Sequence, residues 1–148
     1  FLVSGNFKEH SVKSYRIAQG YLCKDNLNTV RVRIRDKDGF LTIKGPSYNG
    51  GLSRFEWEKL ISVEDARQLL ELSVTPIIDK IRYIVPYKGH TWEVDEFFGE
   101  NKGLIVAEIE LQSEDEQFAI PDWAGDEVTE DKRYTNLSLT TNPYSTWK

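Results

Sequence analysis

Short runs that alternate strictly between apolar and charged residues constrain this chain more than any other feature. Residues 29–35 read TVRVRIR. On a strand, residues two apart share a face. Val30, Val32 and Ile34 therefore lie on one side, and Arg31, Arg33 and Arg35 on the other. A helix would scatter both sets around its surface. The pattern recurs along the chain. In FLTIK, Leu41 and Ile43 oppose Phe40, Thr42 and Lys44. In RFEWE, Phe55 and Trp57 oppose Arg54, Glu56 and Glu58. In KIRYIV, Ile81, Tyr83 and Val85 oppose Lys80 and Arg82. In TWEVDEF, Trp92 and Val94 oppose Glu93 and Asp95. In LIVAEIEL, Ile105, Ala107, Ile109 and Leu111 oppose Val106, Glu108 and Glu110.

Residues 16–22 (RIAQGYL) add a seventh strand. Asp38-Gly39 reads as the turn after Arg35, and Asn49-Gly50 as a turn within the Gly-rich loop over 45–53. Gly89 and the 99–103 segment separate the later strands. Seven strands at this spacing predict a mainly β barrel or sandwich, as one domain over 1–148. Helices are few. Ser62 caps a short amphipathic helix over 63–72, with Val63, Ala66, Leu69 and Leu70 as its stripe. Ser113 with Glu116 forms a capping box before Pro121, and Thr129 caps a helix over 130–136. Phe55, Trp57, Tyr83 and Trp92 are assigned to the core.

A sheet with one face on a core and one in water explains any single strand. It explains the set less well. Like charges about 7 Å apart on one strand face repel, and ordinary surfaces intersperse signs. Arg pairs suit phosphate oxygens, which the guanidinium fork binds bidentately. Glu-x-Glu places two hard oxygen ligands together for a divalent cation. Closed with this face inward, the sheet becomes a charged tunnel for an oligophosphate and its metals. The helix over 63–72 would then cover part of the apolar exterior.

Several classes are excluded. The 19 basic and 24 acidic residues give a net charge of −5, which does not draw in nucleic acid. The 39% hydrophobic composition offers no membrane span. Cys23 is the single cysteine, which fits a reducing cytoplasm. Residues 45–51 lack the Gly-Lys-Ser/Thr ending of a P-loop. Asp36-Lys37-Asp38-Gly39 fails as an EF-hand because Ile34 and Gly45 occupy the flanking ligand positions. His10 and His90 read as ordinary loop histidines, and no Ser nucleophile motif is present. The chain contains no Met and begins with Phe1, which predicts that an N-terminal piece is missing.

In order, QGYL (19–22), TVRVR (29–33), LTIKG (41–45), RFEWE (54–58), KIRY (80–83), WEVDEF (92–97), GLIVAEIEL (103–111) and EVTEDKRY (127–134) resemble the CYTH family of triphosphate tunnel metalloenzymes, its small bacterial members above all. The resemblance implies a closed, antiparallel, eight-stranded tunnel that hydrolyses triphosphates with Mg2+ or Mn2+. By it, Arg31, Arg33 and Lys44 would bind triphosphate, with Arg54 and Arg133 as further contacts. Lys80 and Arg82 would act in catalysis, and Glu108, Glu110, Asp95, Glu56 and Glu58 would hold metal. It further implies that a first strand with Glu-x-Glu-x-Lys precedes Phe1. Trp123 and Trp147 are expected to pack the tunnel ends. Inorganic tripolyphosphate is the expected substrate. Thiamine triphosphate hydrolysis, adenylate cyclase activity and non-catalytic polyphosphate binding stay open, as does a homodimer.

Overall fold

A computed structural model describes residues 1–24, 28–48, 53–113 and 115–147, the side chains of 47, 48, 53 and 54 excepted. The expected Asn49-Gly50 turn and the side chain of Arg54 lie outside the described residues. The chain is mainly β with few helices, and divides into two compact units.

The unit Arg16–Asp79 contains most of β1 (Lys13–Lys24), then β2 (Thr29–Arg35), β3 (Asp38–Tyr48), β4 (Ser53–Ile61) and the helix α1 (Val63–Leu70). Its strands run in the order β4-β3-β2-β1, each antiparallel to the next. The register sets Gln19 opposite Arg33 and Tyr21 opposite Arg31. It also sets Arg31 opposite Thr42, Thr42 opposite Glu58 and Lys44 opposite Glu56. These residues share one face because partners across a ladder point the same way. The other face carries fully buried Val32 under α1, which packs on β2 and β3. Ser62 caps that helix as expected, its hydroxyl accepting from the Asp65 N–H at 3.0 Å.

Two expectations change here. Arg35 pairs with Asp38, so the two-residue turn is Asp36-Lys37 and not Asp38-Gly39. Asp36 takes the left-handed conformation (φ 54°) and its carboxylate accepts from the Arg16 N–H. Gly39 belongs to β3, where a Cβ would come within 2.8 Å of the Ala66 Cβ; its missing side chain lets α1 close on the sheet. Phe55 and Trp57, expected in the core, are 54% and 41% exposed. β4 is the last strand of this order, and α1 lies over β2 and β3.

The second unit joins residues 1–15 to 80–148. It holds β5 (Ile78–Tyr87, from Lys80 onward), β6 (His90–Phe97), β7 (Ile105–Ile109) and the helix α2 (Asn136–Thr141). Seven strands thus form among the described residues. β5, β6 and β7 are antiparallel neighbours. Their apolar face joins Phe7 and Trp123 in a core with Val85, Trp92, Val94 and Ala107. Trp123 is therefore a core residue, edge-on to Trp92 at 5.5 Å. Tyr83 lies against Phe7 at 5.3 Å.

The C-terminal helix starts later than the Thr129 cap predicts. The Asp131 carboxylate takes the Arg133 N–H and caps a 3-10 turn over Lys132–Tyr134. The Thr135 hydroxyl then takes the Ser138 N–H and caps α2. Two caps four residues apart replace the single expected Thr129 cap. Ser113 and Glu116 open no helix among the described residues. The Glu116 carboxylate instead accepts from the Gln112 N–H and pairs with the His90 ring at 2.6 Å. His90 is accordingly the first residue of β6 and only 18% exposed, not a free loop histidine. No helix among the described residues is long and apolar enough to cross a membrane.

Candidate functional site

The arginines on the polar face of β2 have neutral side chains among their described partners. Arg33 Nε donates to Gln19 Oε1 at 3.0 Å. Arg31 Nη2 reaches Thr42 Oγ1 at 3.4 Å, and that hydroxyl donates to Glu58 Oε2 at 2.8 Å. The Arg31 to Glu58 ion pair is long, at 4.0 Å. Gln19 and Thr42 are almost wholly buried, so they are fixed supports. Tyr21 is buried on the same face. Burial raises its phenol pKa, against the pull of Arg31 and Arg33, so the hydroxyl stays neutral and able to donate. Arg31 Nε and Gln19 Nε2 are buried donors with no acceptor among the described residues. Buried N–H groups are nearly always paired, so this face is short of an acceptor. Lys44 lies half-buried on the same face, and Glu56 and Glu58 are exposed at its β4 edge.

On β5 the cations meet carboxylates. Lys80 is fully buried. Its ammonium donates to Asp95 Oδ2 at 2.9 Å and to Asn136 Oδ1 at 2.8 Å, and lies 5.5 Å from the Phe97 ring centre. Arg82 grips Asp95 with two bonds, 2.8 and 2.9 Å, and approaches Glu93 at 3.3 Å. Burial alone would raise the Asp95 pKa; Lys80 and Arg82 outweigh it and hold the carboxyl below its ordinary range. The guanidinium of Arg82 is likewise held charged by Asp95 and Glu93 against its own desolvation. Both Asp95 oxygens are thus taken by cations, an arrangement that leaves this carboxylate as a shared counterion.

The acidic strand faces lie beside this cluster. Glu93 sits opposite Glu108 across β6 and β7, and Glu110 follows two residues on. Like charges directly opposite one another are destabilising unless something lies between them. A cleft of about 790 Å³ on this face is lined by Ile84, His90, Thr91, Glu93, Glu110 and Glu116.

The profile of the CYTH domain matches residues 4–144. The chain belongs to the CYTH domain family. An inorganic triphosphatase of Acetivibrio thermocellus is 48% identical over 149 aligned residues, spanning all of this chain and 94% of the relative. An inorganic triphosphatase of Nitrosomonas europaea is 35% identical, over 94% of this chain and 92% of that protein. The crystal structure of an inorganic triphosphatase superposes with a TM-score of 0.73 at 32% identity, covering 95% of this chain and 90% of the other.

Within this CYTH domain, most of the expected residues gather on polar strand faces, but Arg133 does not. It is exposed, paired with Asp131 at 2.7 Å, and stacked on the Trp147 ring at 4.8 Å. Gln19, Tyr21, Thr42 and Asn136 were not among the expected site residues. Alternation within RIAQGYL could have flagged Gln19 and Tyr21, which share a face; nothing in the local pattern marks Asn136. For a divalent ion the donors at hand are Glu108 and Glu110, with Glu93 opposite. Among the described residues no three His, Cys, Asp or Glu side chains converge into a cage. That donor set fits an ion such as Mg2+, which binds one or two carboxylates and completes its shell with water and phosphate oxygens.

Proposed function

We infer that this CYTH domain is a divalent-metal-dependent inorganic triphosphatase, hydrolysing tripolyphosphate to diphosphate and orthophosphate. The observation that carries the reading is the pair of buried, acceptor-less donors at Arg31 and Gln19 on a face that also presents Arg33. A linear triphosphate supplies the missing acceptors, and charge-assisted contacts to it are the strong kind. The identity with named inorganic triphosphatases over the whole chain favours the same substrate.

In this mechanism Arg31, Arg33, Lys44 and Arg82 bind and orient the phosphates, Arg54 is a further candidate contact, and Arg133 ties down the C-terminal segment. Lys80, buried beneath the face, contributes charge close to the reacting phosphoryl group. Phosphoryl transfer depends chiefly on alignment and charge neutralisation, which fixed guanidinium groups supply. Water adds to a terminal phosphorus, the phosphoanhydride P–O bond breaks, and the proton released by water ends on a product phosphate. Glu108 and Glu110, supported by Glu93 and by Glu56 and Glu58, would hold Mg2+ or Mn2+. The ion supplies Lewis-acid neutralisation of phosphate oxygens. Asp95 holds Lys80 and Arg82 in place.

The closed eight-stranded tunnel is proposed as the working form, supported by the like-charged strand face in each unit. A cytoplasmic setting is supported by Cys23 being the single cysteine. The test is orthophosphate release by the purified protein from tripolyphosphate, thiamine triphosphate and ATP, with Mg2+, Mn2+ or chelator. Metal-dependent release with tripolyphosphate preferred supports the reading. Preference for thiamine triphosphate or ATP reassigns the substrate, and binding without release makes the protein a binder.

A further inference from the structure

The contact between Lys80 and Asn136 joins the most deeply buried cation among the described residues to the first residue of α2, 56 positions away. We propose that Asn136 is a positioning residue for the triphosphate reaction, acting through Lys80. The inference rests on the reading above and adds a role for the C-terminal segment.

The chemistry of the pair is informative. Among the described contacts, Asp95 is bonded to both Lys80 and Arg82 and Glu93 lies 3.3 Å from Arg82, so these four side chains balance in charge. Asn136 gives the ammonium a second acceptor without a second negative charge. A carboxylate here would satisfy the ammonium better, because charge-assisted hydrogen bonds are the stronger kind. It would also turn this balanced cluster net negative, against a bound triphosphate. A neutral acceptor at this position fixes the ammonium and leaves its field intact. The remaining groups around the pair fit this division. Phe97 packs beside the ammonium, Glu93 faces Arg82, and Arg133 and Asp131 pair with each other at the preceding turn. Asn136 itself is held by the helix start, where Thr135 caps α2. Loosening that helix therefore misplaces the charge on Lys80.

Two substitutions in the full chain separate positioning from plain structural support. Asn136→Ala removes the acceptor. Asn136→Asp keeps an acceptor of the same size and adds a charge. Three quantities are measured for each: melting temperature, tripolyphosphate affinity by calorimetry without metal, and the kcat and KM of phosphate release with Mg2+. The expected result for Asn136→Asp is a melting temperature at or above that of the wild type with affinity about tenfold weaker. For Asn136→Ala it is a kcat about tenfold lower with KM within about twofold. A purely structural residue would instead make activity follow melting temperature, leaving Asn136→Asp fully active. Wild-type affinity in Asn136→Asp together with wild-type kcat in Asn136→Ala would overturn the proposal. If the wild type binds tripolyphosphate but releases no phosphate, the enzymatic reading fails, and the affinity of Asn136→Asp alone decides whether Asn136 sets the field of the site.

Discussion

The polar faces of β2 and β5 look alike in sequence and are built differently. Each presents two cations spaced two apart, Arg31 and Arg33 in one case, Lys80 and Arg82 in the other. Among the described contacts on β2, Arg33 donates to a glutamine and Arg31 reaches a threonine, with the nearest acidic partner of Arg31 at 4.0 Å. On β5 the support is Asp95, at 2.8–2.9 Å from both cations. Arg31, with its nearest described carboxylate 4.0 Å away, keeps more of its charge for a ligand than Arg82, which is bonded to Asp95 at 2.8 Å. On the proposed reading, β2 presents its arginines to the phosphates, while on β5 Asp95 fixes the positions of the two cations.

Breaking the β5 frame has the largest expected effect. Asp95→Ala removes the carboxylate bonded to both cations, one of them fully buried, and should cost about 3–5 kcal/mol in urea unfolding. A loss under about 1 kcal/mol would mean that water or a neighbour satisfies them equally well. The double change Arg31→Ala with Arg33→Ala probes the other side of the comparison. Tripolyphosphate affinity should drop about 100-fold or more, since two charge-assisted contacts vanish. Unfolding free energy should change far less than for Asp95→Ala. Equal stability losses in the two variants would erase the distinction between binding face and frame.

Acid titrates the frame selectively. The folded pKa of Asp95 is depressed below its ordinary 3.8, so the unfolded chain takes up this proton first. The stabilisation is complete above that ordinary value and is lost as pH falls through the depressed one. Urea unfolding followed from about pH 6 down to about pH 2 should show the wild-type advantage over Asp95→Asn shrinking at the acid end. A constant difference would contradict the pairing. The smallest effect is expected from Thr42→Val, which removes the hydroxyl between Arg31 and Glu58. Affinity should fall by about 1 kcal/mol with stability close to unchanged.

Much of this was legible from alternation alone. All seven strands and the side of each strand that carries charge follow from period-two patterning, because a strand face is a local property of the backbone. The helix α1 was equally legible from its cap and stripe. What alternation does not encode is which face another element covers. Phe55 and Trp57 satisfy the core pattern, yet they stand on the strand that α1 leaves uncovered. The turn at Asp36-Lys37 was misplaced because Gly39 answers to helix packing and not to turn geometry. In the site, the cations were readable and their partners were not. Gln19, Thr42 and Asn136 are neutral residues whose roles depend on contacts 11 to 56 positions away.

The most direct test of the account compares orthophosphate release from tripolyphosphate by the wild type and by the Arg31→Ala, Arg33→Ala double variant, each with Mg2+, Mn2+ or chelator. The account predicts metal-dependent release by the wild type and a loss of about 100-fold in kcat/KM for a double variant that is still folded. Release that survives the loss of both arginines, or a wild type that releases no phosphate with either metal, would contradict it.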